Sequence, residues 1–200
     1  MQAELFELRD KMPAGFVYRD EFISKAEEEQ LVAAIRELAF SEVRMHGVAA
    51  KRRTVHFGRS YEFQTFKLGD APPIPEFLRT LRDRTGELIA RDPEDLGEAL
   101  VTEYAPGAGI GWHRDAPPFG IVVGVSLLSE CTMQFRPWPV NKAGEGASGA
   151  KRSKPLAQVL APRSVYVLDG AARSQWQHHI PAAKALRYSI TFRTLRKREA

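Results

Sequence analysis

A mostly β fold, an antiparallel sandwich or barrel braced on one side by two N-terminal helices, is the class this sequence predicts. Three observations predict it: short runs rich in β-branched and aromatic residues succeed one another after Leu100, no helical period interrupts them, and two amphipathic stretches precede them. Ser24 followed by Glu27 is a capping-box pattern, and Leu31, Ile35 and Leu38 recur at helical spacing, which predicts a helix over 25–39. Pro75, preset for a first helical turn, predicts a second helix continuing through Phe77, Leu78, Leu81, Leu88 and Ile89. The predicted strands are 99–104, 120–128, 131–136, 156–160, 163–169, 174–178 and 186–193. From Pro137 to Lys154 the chain is rich in Gly, Ala, Ser and Lys without an apolar period, which predicts a long, mobile loop. With no repeat and no linker, the 200 residues predict one domain, 1–200, its helices in 1–95 and its β core in 96–200.

An apolar content of 44% with 10% aromatic residues suffices for one sizeable core. The one cysteine, Cys131, excludes an intramolecular disulfide, and the start carries Glu4 and Glu7 with no apolar run behind them, so a cytoplasmic location is expected. The stretch from Ile121 to Leu128 is broken by Gly124 and Ser126 and falls far short of the ~18 residues of a helical bilayer span, so no membrane association is expected. The net charge is +4, with Lys51, Arg52, Arg53 and Arg59 clustered early and Arg193, Arg196, Lys197 and Arg198 late. Such clusters suit a polyanion and equally suit a solvated basic face, so charge alone does not choose.

Between Glu103 and Asp115 a turn precedes an extended piece containing His113-Arg114-Asp115. Side chains two apart on an extended chain share a face, so His113 and Asp115 can reach one metal ion while Arg114 points away. A distant His178 or His179 would complete two histidines and one carboxylate, a set that leaves coordination positions open for a chelating cosubstrate and oxygen on iron(II). The tripeptide alone is a weak signal, since it also suits a surface turn.

The last predicted strand strengthens it. Arg187, Ser189, Thr191 and Arg193 share one face, and Tyr188, Ile190 and Phe192 the other. Unpaired guanidinium groups are costly to bury, so this polar face of a core strand suggests an anion between the arginines. A dicarboxylate fits, because arginine forks hold carboxylates bidentately. Taken singly, the strand also reads as an exposed face of alternating polar residues.

The order His113-x-Asp115, His178, then Arg187 with Arg193 beyond it resembles the AlkB family of iron(II) and 2-oxoglutarate-dependent dioxygenases. The resemblance extends over Tyr104-x-Pro106-Gly107, Val125-Ser126-Leu127, Arg163-Ser164 and the Arg53 to Tyr61 segment, nearly the whole chain. It implies a double-stranded β-helix (jelly roll) core with a substrate-recognition lid in 1–95. It implies His113, Asp115 and His178 as iron ligands, with His178 preferred over His179 because Trp176 and Pro181 frame it as in family members. It further implies Arg187, aided by Tyr104, on the far carboxylate of 2-oxoglutarate, Arg193 near Asp115, and Thr102 and Ser189 lining the cosubstrate. Trp112, Tyr61, Phe57 and Arg53 are the expected substrate-pocket residues, because a base taken out of its stack needs an apolar or aromatic slot.

The implied activity is oxidative dealkylation of N-alkylated bases in DNA or RNA, as in DNA repair, consuming O2 and 2-oxoglutarate and releasing succinate, CO2 and formaldehyde, by a monomer. This chain departs from repair-type relatives at Thr102 and Ser189, where asparagines are common, and at Pro117, where an acidic residue is common. Those departures leave open hydroxylation of a modified transfer RNA base, or of a protein or small molecule.

Overall fold

The computed structural model describes residues 12–45, 48–62, 67–138 and 154–196. The predicted loop over 137–154 lies outside them except at its ends. In chain order the elements are β1 (Phe16–Arg19), α1 (Lys25–Arg36), β2 (Ser41–Met45), β3 (Val48–Phe57), β4 (Arg59–Glu62), β5 (Lys67–Asp70), α2 (Glu76–Leu88), β6 (Glu98–Tyr104) and β7 (Ile110–His113). There follow β8 (Phe119–Leu127), β9 (Cys131–Pro137), β10 (Leu156–Leu160), β11 (Val165–Leu168), α3 (Gly170–Ser174), β12 (Trp176–Ile180) and β13 (Arg187–Leu195). The strands pair antiparallel in a seven-stranded sheet, β1-β11-β8-β13-β6-β3-β2, and a four-stranded sheet, β10-β9-β12-β7, with β4 and β5 a separate pair. This is the predicted class: antiparallel sheets of a jelly roll with few helices.

Parity along β13 organises the interior. Tyr188, Ile190 and Phe192 join Val123, Val125 and Leu127 of β8 and Val101 of β6 in a core that α1 covers with Leu31, Val32 and Ile35, and α2 with Leu78 and Leu81. A second core holds Tyr104, Val122 and Leu168 of the large sheet with Met133, Phe135 and Ile180 of the small one. Arg187, Ser189 and Thr191 are buried on the alternate positions of β13.

Local chemistry explains most element ends. Both halves of the capping box form, Glu27 N–H donating to Ser24 Oγ at 3.2 Å and Ser24 N–H to Glu27 Oε2 at 2.7 Å. The first helix stops at Arg36 rather than 39, yet Leu38 still packs on the core. Pro75 is the N-cap of α2, extended at ψ 157°, so it precedes the first turn instead of occupying it. The strand predicted from 163 begins at Val165 because Arg163 takes a left-handed φ of 64°. That predicted from 174 begins at Trp176, after α3, which Asp169 caps.

The large departure from expectation is β1 to β5, all unpredicted. β3 reads Lys-Arg-Arg-Thr-Val-His-Phe over 51–57, so cations stand where an apolar alternation would have signalled a strand. Thus three strands of the large sheet come from the N-terminal half.

Gly124 of β8 leaves no room for a side chain, since a Cβ there would lie 2.3 Å from the Tyr166 ring of the neighbouring β11. A ring cannot swing aside as a flexible chain end would. Gly124→Ala is therefore expected to lower unfolding free energy by about 1–3 kcal/mol, read by urea denaturation.

Candidate active site

Two adjacent strands of the small sheet deliver the histidines. β12 and β7 pair with His178 opposite His113 and Ile180 opposite Ile110, so β7 carries one extra residue between the two pairs, a bulge that re-aims its end. The strands sit close because Gly109 precedes β7: a Cβ there would be 2.6 Å from the Ile180 carbonyl oxygen. The His113 and His178 rings lie side by side, tilted at 59° with centroids 4.2 Å apart. Asp115 stands just beyond β7, its Oδ2 3.7 Å from His178 Nε2. His113 Nδ1 lies 2.9 Å from the Gly111 carbonyl, which places the hydrogen on Nδ1 and leaves the Nε2 lone pair to a ligand.

Charges from β13 and β6 hold the carboxylate. Arg193 donates to Asp115 Oδ1 from Nε at 3.1 Å and Nη2 at 2.9 Å, and from Nη1 to Glu98 Oε2 at 2.8 Å. Burial alone would raise the Asp115 carboxyl, but Arg193, then His178 and His113, hold it well below the usual carboxylate range. Burial, reinforced by His113, pushes His178 down to about 3, and burial also lowers His113. The three donors are thus deprotonated at neutral pH, as metal ligation requires.

The sign of these shifts sets an acid window for the iron-free protein. Between about pH 6.5 and pH 3 the unfolded chain protonates His178 and the folded chain does not, so stability is full above that window and falls with pH through it. The slope expected from this group is about 1.4 kcal/mol per pH unit at most. Below the ordinary aspartate range Asp115 adds a loss of the same sign. His178→Gln should flatten the upper part of the window in denaturant titrations at stepped pH.

Among the described residues no group of three or more His, Cys, Asp or Glu side chains stands in an arrangement that would hold a metal ion as it is. Two orphaned atoms nevertheless show what the site lacks. Asp115 Oδ2 and Arg187 Nη1 are buried with no hydrogen-bond partner among the described residues. Arg187 is 0% exposed, lies over the Tyr104 ring at 4.9 Å and spends Nε and Nη2 on Ser126 Oγ at 3.2 and 2.9 Å. A carboxylate oxygen beside the His178 imidazole, with His113 close by, suits a divalent cation, and a buried guanidinium edge facing no carboxylate suits an anionic ligand. The donor set and the arginine therefore fit iron and a dicarboxylate.

A cavity of about 140 Å³ opens over His113, Asp115 and Arg193, walled by Arg52, Thr54, His56, Tyr61, Glu98, Thr102, Arg114 and Phe119 among others. Tyr61, which borders this cavity, meets Phe119 edge to face at 6.4 Å. Thr102 is opposite Ser189 across β6 and β13, and Tyr104 opposite Arg187, so the expected cosubstrate residues are neighbours. Three expected pocket residues are corrected. Phe57 is in the helix-covered core, and Arg53 pairs with Glu103 at 2.7 Å and lies over Phe40; the even positions of β3, Arg52, Thr54 and His56, face the cavity instead. Trp112 lies outside the cavity wall, stacked on His179 at 5.0 Å with Arg136 over it at 4.4 Å. His179, 3.2 Å from Gln134, sits in that stack, while His178 meets Asp115. Arg114 does not point away: strand alternation ends at His113, and Arg114 borders the cavity while lying over Trp138 at 4.6 Å.

Sequence reasoning missed Glu98, His56 and Arg173. Arg173 is 6% exposed and donates to the Ala116, Phe119 and Gly120 carbonyls, pinning the segment after Asp115. Its place in a five-residue helix gave no signal. Glu98, a charge standing directly before the apolar run Ala99-Leu100-Val101, was the detectable anomaly.

Over residues 15–193 the sequence matches the family described as the 2OG-Fe(II) oxygenase superfamily. It is 30% identical over 190 residues to an alkylated DNA repair protein ALKBH8 homolog of Arabidopsis thaliana, covering 86% of this chain and 52% of that protein. It is 27% identical over 139 residues to the alpha-ketoglutarate-dependent dioxygenase AlkB of Escherichia coli K12, covering 64% of this chain and 59% of that one. The chain thus spans between half and two thirds of these relatives. The solved structure of OsALKBH1 superposes with a TM-score of 0.65 at 17% identity, covering 92% of this chain and 97% of the other, a likeness of fold.

Proposed function

This chain belongs to the 2OG-Fe(II) oxygenase superfamily, in its AlkB family, and from that premise we propose that it oxidatively dealkylates N-alkylated bases of DNA or RNA. It is a dioxygenase using iron(II), 2-oxoglutarate and O2. The observation that carries the substrate assignment is the cavity over His113 and Asp115, where Tyr61 and Phe119 offer an apolar slot for a base and Arg52 and Arg114 offer cations for its phosphates.

In this reading His113, Asp115 and His178 hold the iron, which when bound couples decarboxylation of 2-oxoglutarate to oxidation of a substrate C–H bond. Arg187 binds the remote carboxylate through the edge that Ser126 leaves free, and Tyr104 lies against its plane. Arg193 fixes the Asp115 carboxylate, and the Gly111 carbonyl fixes the His113 ring. A carbon hydroxylated beside a base nitrogen leaves as formaldehyde and restores the base. Among the described residues no helix is long and apolar enough to cross a membrane.

A panel of methylated single strands, duplexes and transfer RNAs tests the assignment through succinate release with iron(II) and 2-oxoglutarate. At least one should stimulate turnover, with KM rising at least tenfold between about 50 and about 200 mM salt. Stimulation confined to peptides or small molecules would exclude a nucleic-acid substrate. The departures at Thr102, Pro117 and Ser189 leave open a second reading, hydroxylation of a modified base in transfer RNA, marked by a retained hydroxylated product without formaldehyde.

A further inference from the structure

Glu98 is 1% exposed, and both of its oxygens are engaged: Oε2 accepts from Arg193 at 2.8 Å and Oε1 lies 3.1 Å from His56 Nδ1. Because Arg193 also holds Asp115, four side chains run in series, His56, Glu98, Arg193 and Asp115, from the cavity wall to the candidate metal site. Asp115 already pairs Arg193, and burying a second carboxylate is costly unless each oxygen does something. What the second oxygen of Glu98 does is fix His56.

The chemistry of that contact sets what His56 presents. A carboxylate that receives Arg193 is an anion and accepts only, so the hydrogen between Glu98 and His56 is on Nδ1. A neutral ring so held carries its lone pair on Nε2, at the opposite edge. His56 is half-buried, lines the cavity beside Tyr61, and makes no second hydrogen bond among the described residues. It stands on a sheet strand, opposite Leu100 of β6, so its position does not depend on a loop.

We propose that His56, held by Glu98, is a specificity-determining residue whose Nε2 accepts a hydrogen bond from an N–H group of the substrate base and positions that base against Asp115. This rests on the substrate being a nucleobase. An acceptor half-withdrawn from water discriminates strongly, because a base lacking the donor leaves it unpaired.

The test uses the iron- and 2-oxoglutarate-loaded enzyme on two oligonucleotides, one carrying the alkylated base that it turns over and one carrying the same base with its N–H group replaced by C–H. The wild type should favour the N–H base by about 10–100-fold in kcat/KM. In His56→Leu that ratio should fall to within about threefold, by loss on the N–H base and not on its analogue. His56→Gln, whose amide can donate to Glu98 while presenting an oxygen, should keep most of the preference. Equal losses on both bases in His56→Leu, or a wild-type ratio near one, would overturn the role of His56 and leave the nucleic-acid reading standing. If the wild type turns over no nucleobase while oxidising a peptide or small molecule, both fall.

Discussion

Asp115→Asn is expected to cut iron(II)-dependent succinate release by at least about 100-fold while the fold survives. Partners that merely support a metal ligand are worth about 10–100-fold in affinity or activity, and loss of a ligand should exceed that. The amide keeps the shape and one acceptor for Arg193, so the change isolates charge. Arg193 remains paired with Glu98 at 2.8 Å, which spares the protein the penalty of a stranded buried cation. The cost to unfolding free energy should thus be about 1–3 kcal/mol, well short of unfolding it. Anaerobic titration with iron(II) reads the affinity directly. Asp115→Asn retaining wild-type iron affinity would remove Asp115 from the proposed ligand set.

Arg187→Met is expected to raise KM for 2-oxoglutarate by about 30-fold or more, the scale of losing a buried charge-paired contact. Its effect on the ligand-free protein should be of the opposite kind. Arg187 is wholly buried, pairs with no carboxylate among the described residues and leaves Nη1 unsatisfied, so a shorter, unbranched apolar side chain should leave thermal stability unchanged or higher. Saturating 2-oxoglutarate should raise the melting temperature of the iron-loaded wild type and not that of the variant. A variant that unfolds more readily without ligand would mean that Arg187 serves the core and not the cosubstrate.

Much of the site is local in sequence, and that part was legible. His113 and Asp115 lie two apart, and the alternation of Arg187, Ser189, Thr191 and Arg193 against Tyr188, Ile190 and Phe192 gave β13 its two faces before any pairing was known. The side of β3 that faces the cavity was not legible. Its run of cations hid the alternation, so Arg53 and Phe57 were expected where Arg52 and His56 stand, one residue away and on the opposite face.

What the sequence determined by itself is the antiparallel class, the capped first helix, and a candidate donor set together with an arginine-bearing strand whose chemistry suits iron and a dicarboxylate. These follow from periodicities and spacings that backbone geometry imposes within a few residues. Only the tertiary structure decided that His178 and not His179 meets Asp115, that Arg187 is buried with a free edge, and that Glu98 joins His56 to Arg193. Those relations join residues tens of positions apart, set by strand register and by a bulge in β7. A one-residue shift in either would turn the same side chains to the other face.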